Sequence, residues 1–311
     1  MPTFSNLIPL LLVLLLCGVL AIVIAAALMA RLILRPPRMS DGKASYLLQR
    51  VTPADIGLPF ENLNVTIRDS LKNNASTIDI TGWWIAAPGG SNRTVVLVHG
   101  FADAKVGALA WAPLLLQMGF NVYTPDLRAH GESGGAFQTA GVHERHDLDA
   151  AIDIVKSRKP AETQDIILYG VSLGGSVVLA AGAIRQDVSA VIADCPFADF
   201  PAAIASHAWL VGAPGWPVPQ LAARLAALRI GVASFDEVAP KRSVTKSCCK
   251  VLIIAGAADP ITPASVRDEL AAAIAKAPAG SRMVVMDDIA HLRGLPDATE
   301  EYAGILEAFV K

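Results

Sequence analysis

A serine stands between glycines at Gly170-Val171-Ser172-Leu173-Gly174. A G-x-S-x-G pentapeptide is common by chance, and a tight turn with an incidental serine reads the same way. Its surroundings are more specific. The apolar run Asp165–Tyr169 precedes it, and the helix-forming run LGGSVVLAAGAI follows from Leu173. A sharp strand–turn–helix connection of this kind presents a serine hydroxyl as a nucleophile. Glycines are needed because the serine backbone is strained and the turn packs tightly on its neighbours.

The hydroxyl attacks only if a base takes its proton. Of the six histidines, His291 is the one that follows the last strand-like run, Arg282–Met286. A carboxylate must then hold the imidazole in the correct tautomer and stabilise its cation. Asp259 fits, at the end of Val251–Ala258 and before Pro260-Ile261-Thr262-Pro263; Asp194, ending the run Ala190–Ala193, is the alternative acid. Asp287 and Asp288 lie close to His291 but read as structural. Such a set performs acyl transfer, whose tetrahedral intermediate needs backbone N–H donors. Leu173, the residue after the serine, supplies one. The second is expected from His99-Gly100-Phe101-Ala102, with Phe101 N–H the choice and His99 a brace for the loop. No metal or organic cofactor is implied: the four cysteines show no paired CxxC spacing.

Positioning these residues takes alternating elements. Leu63–Arg68 alternates with period two, and Ile78–Ala86 reads as a second strand able to pair with it as a hairpin. Continuous apolar runs follow at Thr94–Val98, Asn121–Thr124, Asp165–Tyr169, Ala190–Ala193, Val251–Ala255 and Arg282–Met286, as expected of strands buried on both faces. Helical periodicity fills the gaps at 107–118, 143–158, 173–185, 264–277 and 298–310. The expectation is an α/β fold with an eight-stranded, mostly parallel sheet and helices on both faces. Residues 197–247 break the rhythm and read as a lid, with Leu221, Leu225 and Leu228 on one helical face. Arg145, Asp147 and Asp149 read as a solvated helix face, and Cys195 as a small buried residue.

Apolar residues make up 53% of the 311 and charged residues 17%, which excludes a disordered chain; a net charge of −2 offers no footprint for nucleic acid. Much of the apolar content is concentrated in residues 7–30, which carry no charge. As a helix this run would rise about 36 Å, enough to cross a bilayer. It is too long for the apolar part of a cleaved leader, and no Lys or Arg precedes it, although small residues at Ala25–Ala30 keep cleavage open. Arg31, Arg35 and Arg38 follow it, so the positive-inside rule puts the remaining chain in the cytoplasm; the periplasmic or extracellular side is the alternative. The expected division is an anchor over 1–35, a proline-containing connector over 36–60 and a catalytic domain over 61–311.

The ordered motifs VLVHGFAD (96–103), NVYTPDLRAHGESGG (121–135), YGVSLGG (169–175), VIADCPFAD (191–199), VLIIAGAADPITP (251–263) and His291 together resemble the α/β-hydrolase superfamily, in its serine aminopeptidase-like or Bem46-like branch. The resemblance covers about residues 60–311. Ala129 stands where a glycine is commoner, and the usual glycine before the histidine is absent. The resemblance implies the α/β-hydrolase fold and the chain order Ser172, Asp259, His291. It implies that Asp126, Arg128, His130 and Ser133 are mainly structural. It leaves open esters, thioesters, lipids and peptides as substrates. The leading expectation is a membrane-anchored serine hydrolase of carboxylic esters, with medium-chain acyl or lipid substrates and the bilayer as its partner through residues 7–30. An amide hydrolase and a non-catalytic scaffold are the alternatives.

Overall fold

Strands and helices alternate through most of the computed structural model, which describes residues 4–71 and 76–311. The strands are β1 (Glu61–Asn62), β2 (Val65–Arg68), β3 (Thr77–Ile80), β4 (Gly82–Ile85), β5 (Arg93–Val98), β6 (Asn121–Pro125), β7 (Asp165–Val171), β8 (Ala190–Asp194), β9 (Lys250–Gly256) and β10 (Arg282–Met286). The helices are α1 (Phe4–Leu34), α2 (Asp41–Leu48), α3 (Lys105–Ala108), α4 (Ala112–Gln117), α5 (Glu144–Arg158), α6 (Leu173–Gly182), α7 (Phe200–Leu210), α8 (Val218–Ile230), α9 (Pro240–Lys246), α10 (Ala264–Ile274), α11 (Gly294–Asp297) and α12 (Thr299–Val310).

An eight-stranded sheet runs in the order β1-β4-β6-β5-β7-β8-β9-β10; β1 and β4 are antiparallel to their neighbours and the rest are parallel. The number of strands is the expected one, but their membership differs. The run Ile78–Ala86 is split at Thr81. Its first half pairs with β2 in a separate two-stranded ribbon, and its second half joins the main sheet. Leucine, isoleucine and valine side chains bury β5 to β9 on both faces, forming two apolar clusters. β10 departs from the expectation: as the outer strand it is only partly covered, and Val285 is 43% exposed.

From β5 the chain moves to β6 on one side and then to β7 on the other. The loops leaving the carboxyl ends of β5 and β7 diverge there and leave a crevice, the place where ligands bind open α/β sheets.

α1 is long and apolar enough to cross a membrane over Leu7–Leu34, with mean hydropathy 3.3 in its most apolar 18 residues. The first three residues of the expected anchor lie outside the described residues. Residues 7–21 are exposed, whereas Ala26, Ala30 and Leu34 are buried where α1 packs along α8. α8 buries Pro219, Ala222, Ala223, Ala226, Ala227 and Ile230, Leu221 and Leu225 are half-buried against the core, and Leu228 is 74% exposed. Alanines let two helices approach closely, and of the three leucines expected on one face Leu221 and Leu225 pack at its margin while Leu228 faces away.

The expected connector is integrated with the body. α2 buries Ala44, while Leu48, Leu58 and Phe60 pack on the core. Arg38 Nη1 donates to the carbonyls of Gly131 and Ser133 at 2.8 and 2.6 Å, tying the connector to the loop after β6.

Candidate active site

Ser172 joins β7 to α6 with φ +52° and ψ −116°, a conformation disfavoured for any residue with a side chain. Strain of this kind costs about 1–3 kcal/mol and persists only where the surroundings enforce it. Ser172 N–H donates to the Asp194 carbonyl at 2.8 Å, continuing the β7–β8 ladder into the turn. Glycines flank the serine because backbone crosses at both places. A Cβ on Gly170 would lie 2.1 Å from the Gly174 carbonyl oxygen, and one on Gly174 would lie 2.3 Å from that of Val98.

The loops after β9 and β10 bring Asp259 and His291 to the same end of the sheet. His291 Nε2 lies 3.0 Å from Ser172 Oγ, and His291 Nδ1 lies 2.6 Å from Asp259 Oδ2. Asp259 also accepts from Thr262 Oγ1 at 2.7 Å and from Ile261 N–H at 2.8 Å. Burial pushes its carboxyl pKa up, but the hydrogen bonds and charge of His291 and the bonds from Thr262 and Ile261 outweigh it. The net shift is below the ordinary value. Thr262 was not singled out in the sequence; its place three residues after Asp259, in a turn, is the signal available. The alternative acid is engaged elsewhere: Asp194 Oδ2 accepts from Tyr302 Oη, and burial raises its pKa.

Phe101 and Leu173 line the same cavity as Ser172. Leu173 opens α6, so its N–H has no intrahelical partner. Among the described residues, neither its N–H nor that of Phe101 is taken by another group.

Behind this face, polar residues brace the loops. His99 Nε2 accepts from Leu127 N–H at 2.9 Å, which leaves Nδ1–H to donate to the Gly100 carbonyl at 2.8 Å. Burial, reinforced by neighbouring His130, lowers the His99 pKa to about 3, so the ring stays neutral. Asp126 accepts from Lys105 Nζ at 2.7 Å and Thr81 Oγ1 at 2.9 Å. Arg128 is fully buried and forks onto Asp147 with contacts of 2.5 and 2.6 Å. Asp147 is therefore not on a solvated face, as the helical pattern had implied. Arg145 pairs with Glu237 and Asp149 with Arg185.

The cavity in front of Ser172 has a volume of about 270 Å³. Its walls are Phe197 and Ile261, the α7 residues Phe200, Ala203, Ile204, His207 and Ala208, and Val211 beyond them. Two further wall residues, Met29 and Ile33, come from α1. Leu221, Leu225 and Leu228 are not among its lining residues. Cys195, buried with φ +50°, completes the floor, and its sulfur lies within 4.8 Å of ligand-type atoms of Asp259 and His291. Burial, with the Asp194 charge, keeps that thiol protonated well above its ordinary pKa. Both imidazole nitrogens of His291 already have partners. The donor set therefore fits a hydrogen-bonded triad beside a thiol better than a site for a thiolate-bound metal.

Residues 89–238 match the family model described as serine aminopeptidase, S33. The chain is 32% identical over 195 residues to uncharacterized protein YqkD of Bacillus subtilis, covering 62% of this chain and 63% of that one. It is 30% identical over 147 residues to uncharacterized protein YfhR of Escherichia coli, covering 45% and 48%. The matches thus span less than two thirds of these relatives. In structure, the esterase Pf2001 of Pyrococcus furiosus superposes with a TM-score of 0.71 at 22% identity, covering 89% of this chain and 97% of that one. An esterase from Thermogutta terrifontis superposes with a TM-score of 0.55 at 20% identity, covering 80% and 98%. The sheet order and these superpositions give the chain the α/β-hydrolase fold, and residues 89–238, just under half of the chain, resemble the serine aminopeptidase family.

Proposed function

We propose that this protein is a serine hydrolase of carboxylic esters, held at a membrane by its N-terminal residues. The observation that carries the reading is the unbroken chain Asp259–His291–Ser172, opening into a cavity with no Asp, Glu, Lys or Arg in its wall among the described residues. Ser172 Oγ attacks the acyl carbon while His291 Nε2 takes its proton. Asp259 holds Nδ1–H and stabilises the imidazolium. The N–H groups of Phe101 and Leu173 receive the oxyanion. The tetrahedral intermediate collapses as His291 returns the proton to the leaving alkoxide, giving alcohol and an acyl-serine. Water, deprotonated by His291, then releases the acid and restores Ser172.

Ester chemistry is favoured over aminopeptidase chemistry by the same wall. Recognition of a peptide terminus needs a paired charge, and among the described residues no Asp, Glu, Lys or Arg lines the cavity. The names of the two archaeal and bacterial esterases above point the same way. The division we propose is an anchor over 1–35, the segment 36–60 packed on the body, and a catalytic domain over 61–311 with a lid over about 197–247. Arg31, Arg35 and Arg38 favour the cytoplasmic side for that domain.

The test is labelling with a fluorophosphonate together with hydrolysis of a p-nitrophenyl ester. Covalent modification at Ser172 and turnover that both vanish in Ser172→Ala are expected. A wild-type protein that is folded yet neither labelled nor active would end the hydrolase reading.

A further inference from the structure

α1 contains two apolar segments with different surroundings. From Leu7 to Ala25 its side chains are almost all exposed. From Ala26 the helix docks: Ala26, Ala30 and Leu34 are buried in the body, while the partly covered Met29 and Ile33 face the cavity that holds Ser172. The undocked length, Leu7 to Ala25, rises about 28 Å at 1.5 Å per residue, close to the roughly 30 Å of a hydrocarbon core. With that stretch inside a bilayer, the docked turns and the cavity they wall lie at the membrane surface.

A second group of residues points to the same surface. The end of α7 and the turn after it carry Trp209, Leu210, Val211 and Trp216, exposed by 69%, 44%, 81% and 74%. Val211 also lines the cavity. Tryptophans with one apolar and one polar edge concentrate at membrane–water interfaces. The exposed Val211 and the α1 residues Met29 and Ile33 line one cavity, which brings the end of α7 and the docked part of α1 together at its wall.

We infer that the last turns of the membrane helix are a wall of the acyl site, and that the acyl chain of a bilayer-resident ester enters laterally, between α1 and the end of α7. Met29 and Ile33 are then specificity-determining residues, and the substrate class is a long-chain acyl ester of membrane lipid type. This inference rests on the ester-hydrolase reading above and adds the substrate's source and the residues that measure its chain.

The experiment uses the full chain in phospholipid nanodiscs with a series of 4-methylumbelliferyl esters from acetyl to dodecanoyl. The readout is the ratio of kcat/KM for the dodecanoyl ester to that for the acetyl ester. Ile33→Trp and Met29→Trp fill the cavity and are expected to lower the ratio at least tenfold. Ile33→Ala enlarges the cavity and is expected to move the preferred chain to greater length. Leu20→Trp, on the lipid-facing stretch, should leave the ratio unchanged. If the ratio is the same in wild type, Ile33→Trp and Ile33→Ala while Ser172 is still labelled by fluorophosphonate, the wall assignment is wrong and the hydrolase reading stands. If the wild type is neither labelled nor active on any ester, both fail. A Leu20→Trp effect as large as that of Ile33→Trp overturns the assignment as well, because it ties chain preference to the membrane span and not to the cavity.

Discussion

The carboxyl edge of the sheet and a cap of α1 and α7, with α8 packed behind both, face each other across one cavity and are built by opposite means. At the sheet edge, each candidate catalytic group is fixed by hydrogen bonds to named partners: Ser172 by Asp194, His291 by Asp259, and Asp259 by Thr262 and Ile261. The cap is apolar and held by alanine faces, with large hydrophobic side chains left exposed. Directional bonds fix reacting atoms to fractions of an ångström, whereas apolar contacts tolerate changes of size and shape. The edge is therefore suited to set the chemistry and the cap to select the substrate.

Damage to the edge should be the most severe. Ser172→Ala should abolish fluorophosphonate labelling and lower ester turnover by a factor on the order of 10⁶, because triad members act as a unit. Asp259→Asn should cost about 10⁴ in kcat through the wrong imidazole tautomer. The parallel Asp194→Asn must cost less; if it costs more, the acid has been misassigned. Next comes the brace beneath the edge. Asp147→Ala leaves Arg128 buried without its forked partner, and urea denaturation should show a loss of about 3–5 kcal/mol. Thr262→Val removes one hydrogen bond to Asp259 and should lower kcat by about tenfold, from a bond worth roughly 1.5 kcal/mol. Leu228→Ala, on the exposed face of α8, should shift stability by no more than about 0.5 kcal/mol and leave chain preference unchanged. A strong effect on chain preference at Leu228 would blur the contrast between the two faces of the cap.

Deleting residues 1–35 separates anchoring from wall-building. If α1 only anchors, the truncated protein keeps its preference for long acyl chains. With Met29 and Ile33 in the wall, that preference falls, and the alanine face of α8 loses its cover. Long-chain and acetyl ester kinetics on the same preparation decide between the two.

The candidate site was legible because its parts are local. A glycine pentapeptide after an apolar strand, an aspartate before a proline turn and a histidine after the last strand each carry their own signal. Their order along the chain, set against one sheet, was enough to single out Ser172, Asp259, His291, Phe101 and Leu173. The core strands were legible because burial on both faces demands unbroken runs of valine, isoleucine and leucine.

Pairing between distant segments left no such trace. The break at Thr81, which sends β3 to a ribbon and β4 to the main sheet, depends on partners far along the chain. Asp147 looks like any surface carboxylate of a helix until Arg128 is brought against it. In α1, residues 7–30 are apolar on every side, so no amphipathic period marks the face formed by Ile22, Ala26, Met29, Ala30, Ile33 and Leu34. By itself the sequence determined which groups can do chemistry and that one helix is apolar enough for a bilayer. Only the tertiary structure decided that this helix also closes the cavity, because a uniformly hydrophobic surface does not say which of its faces will meet protein and which lipid.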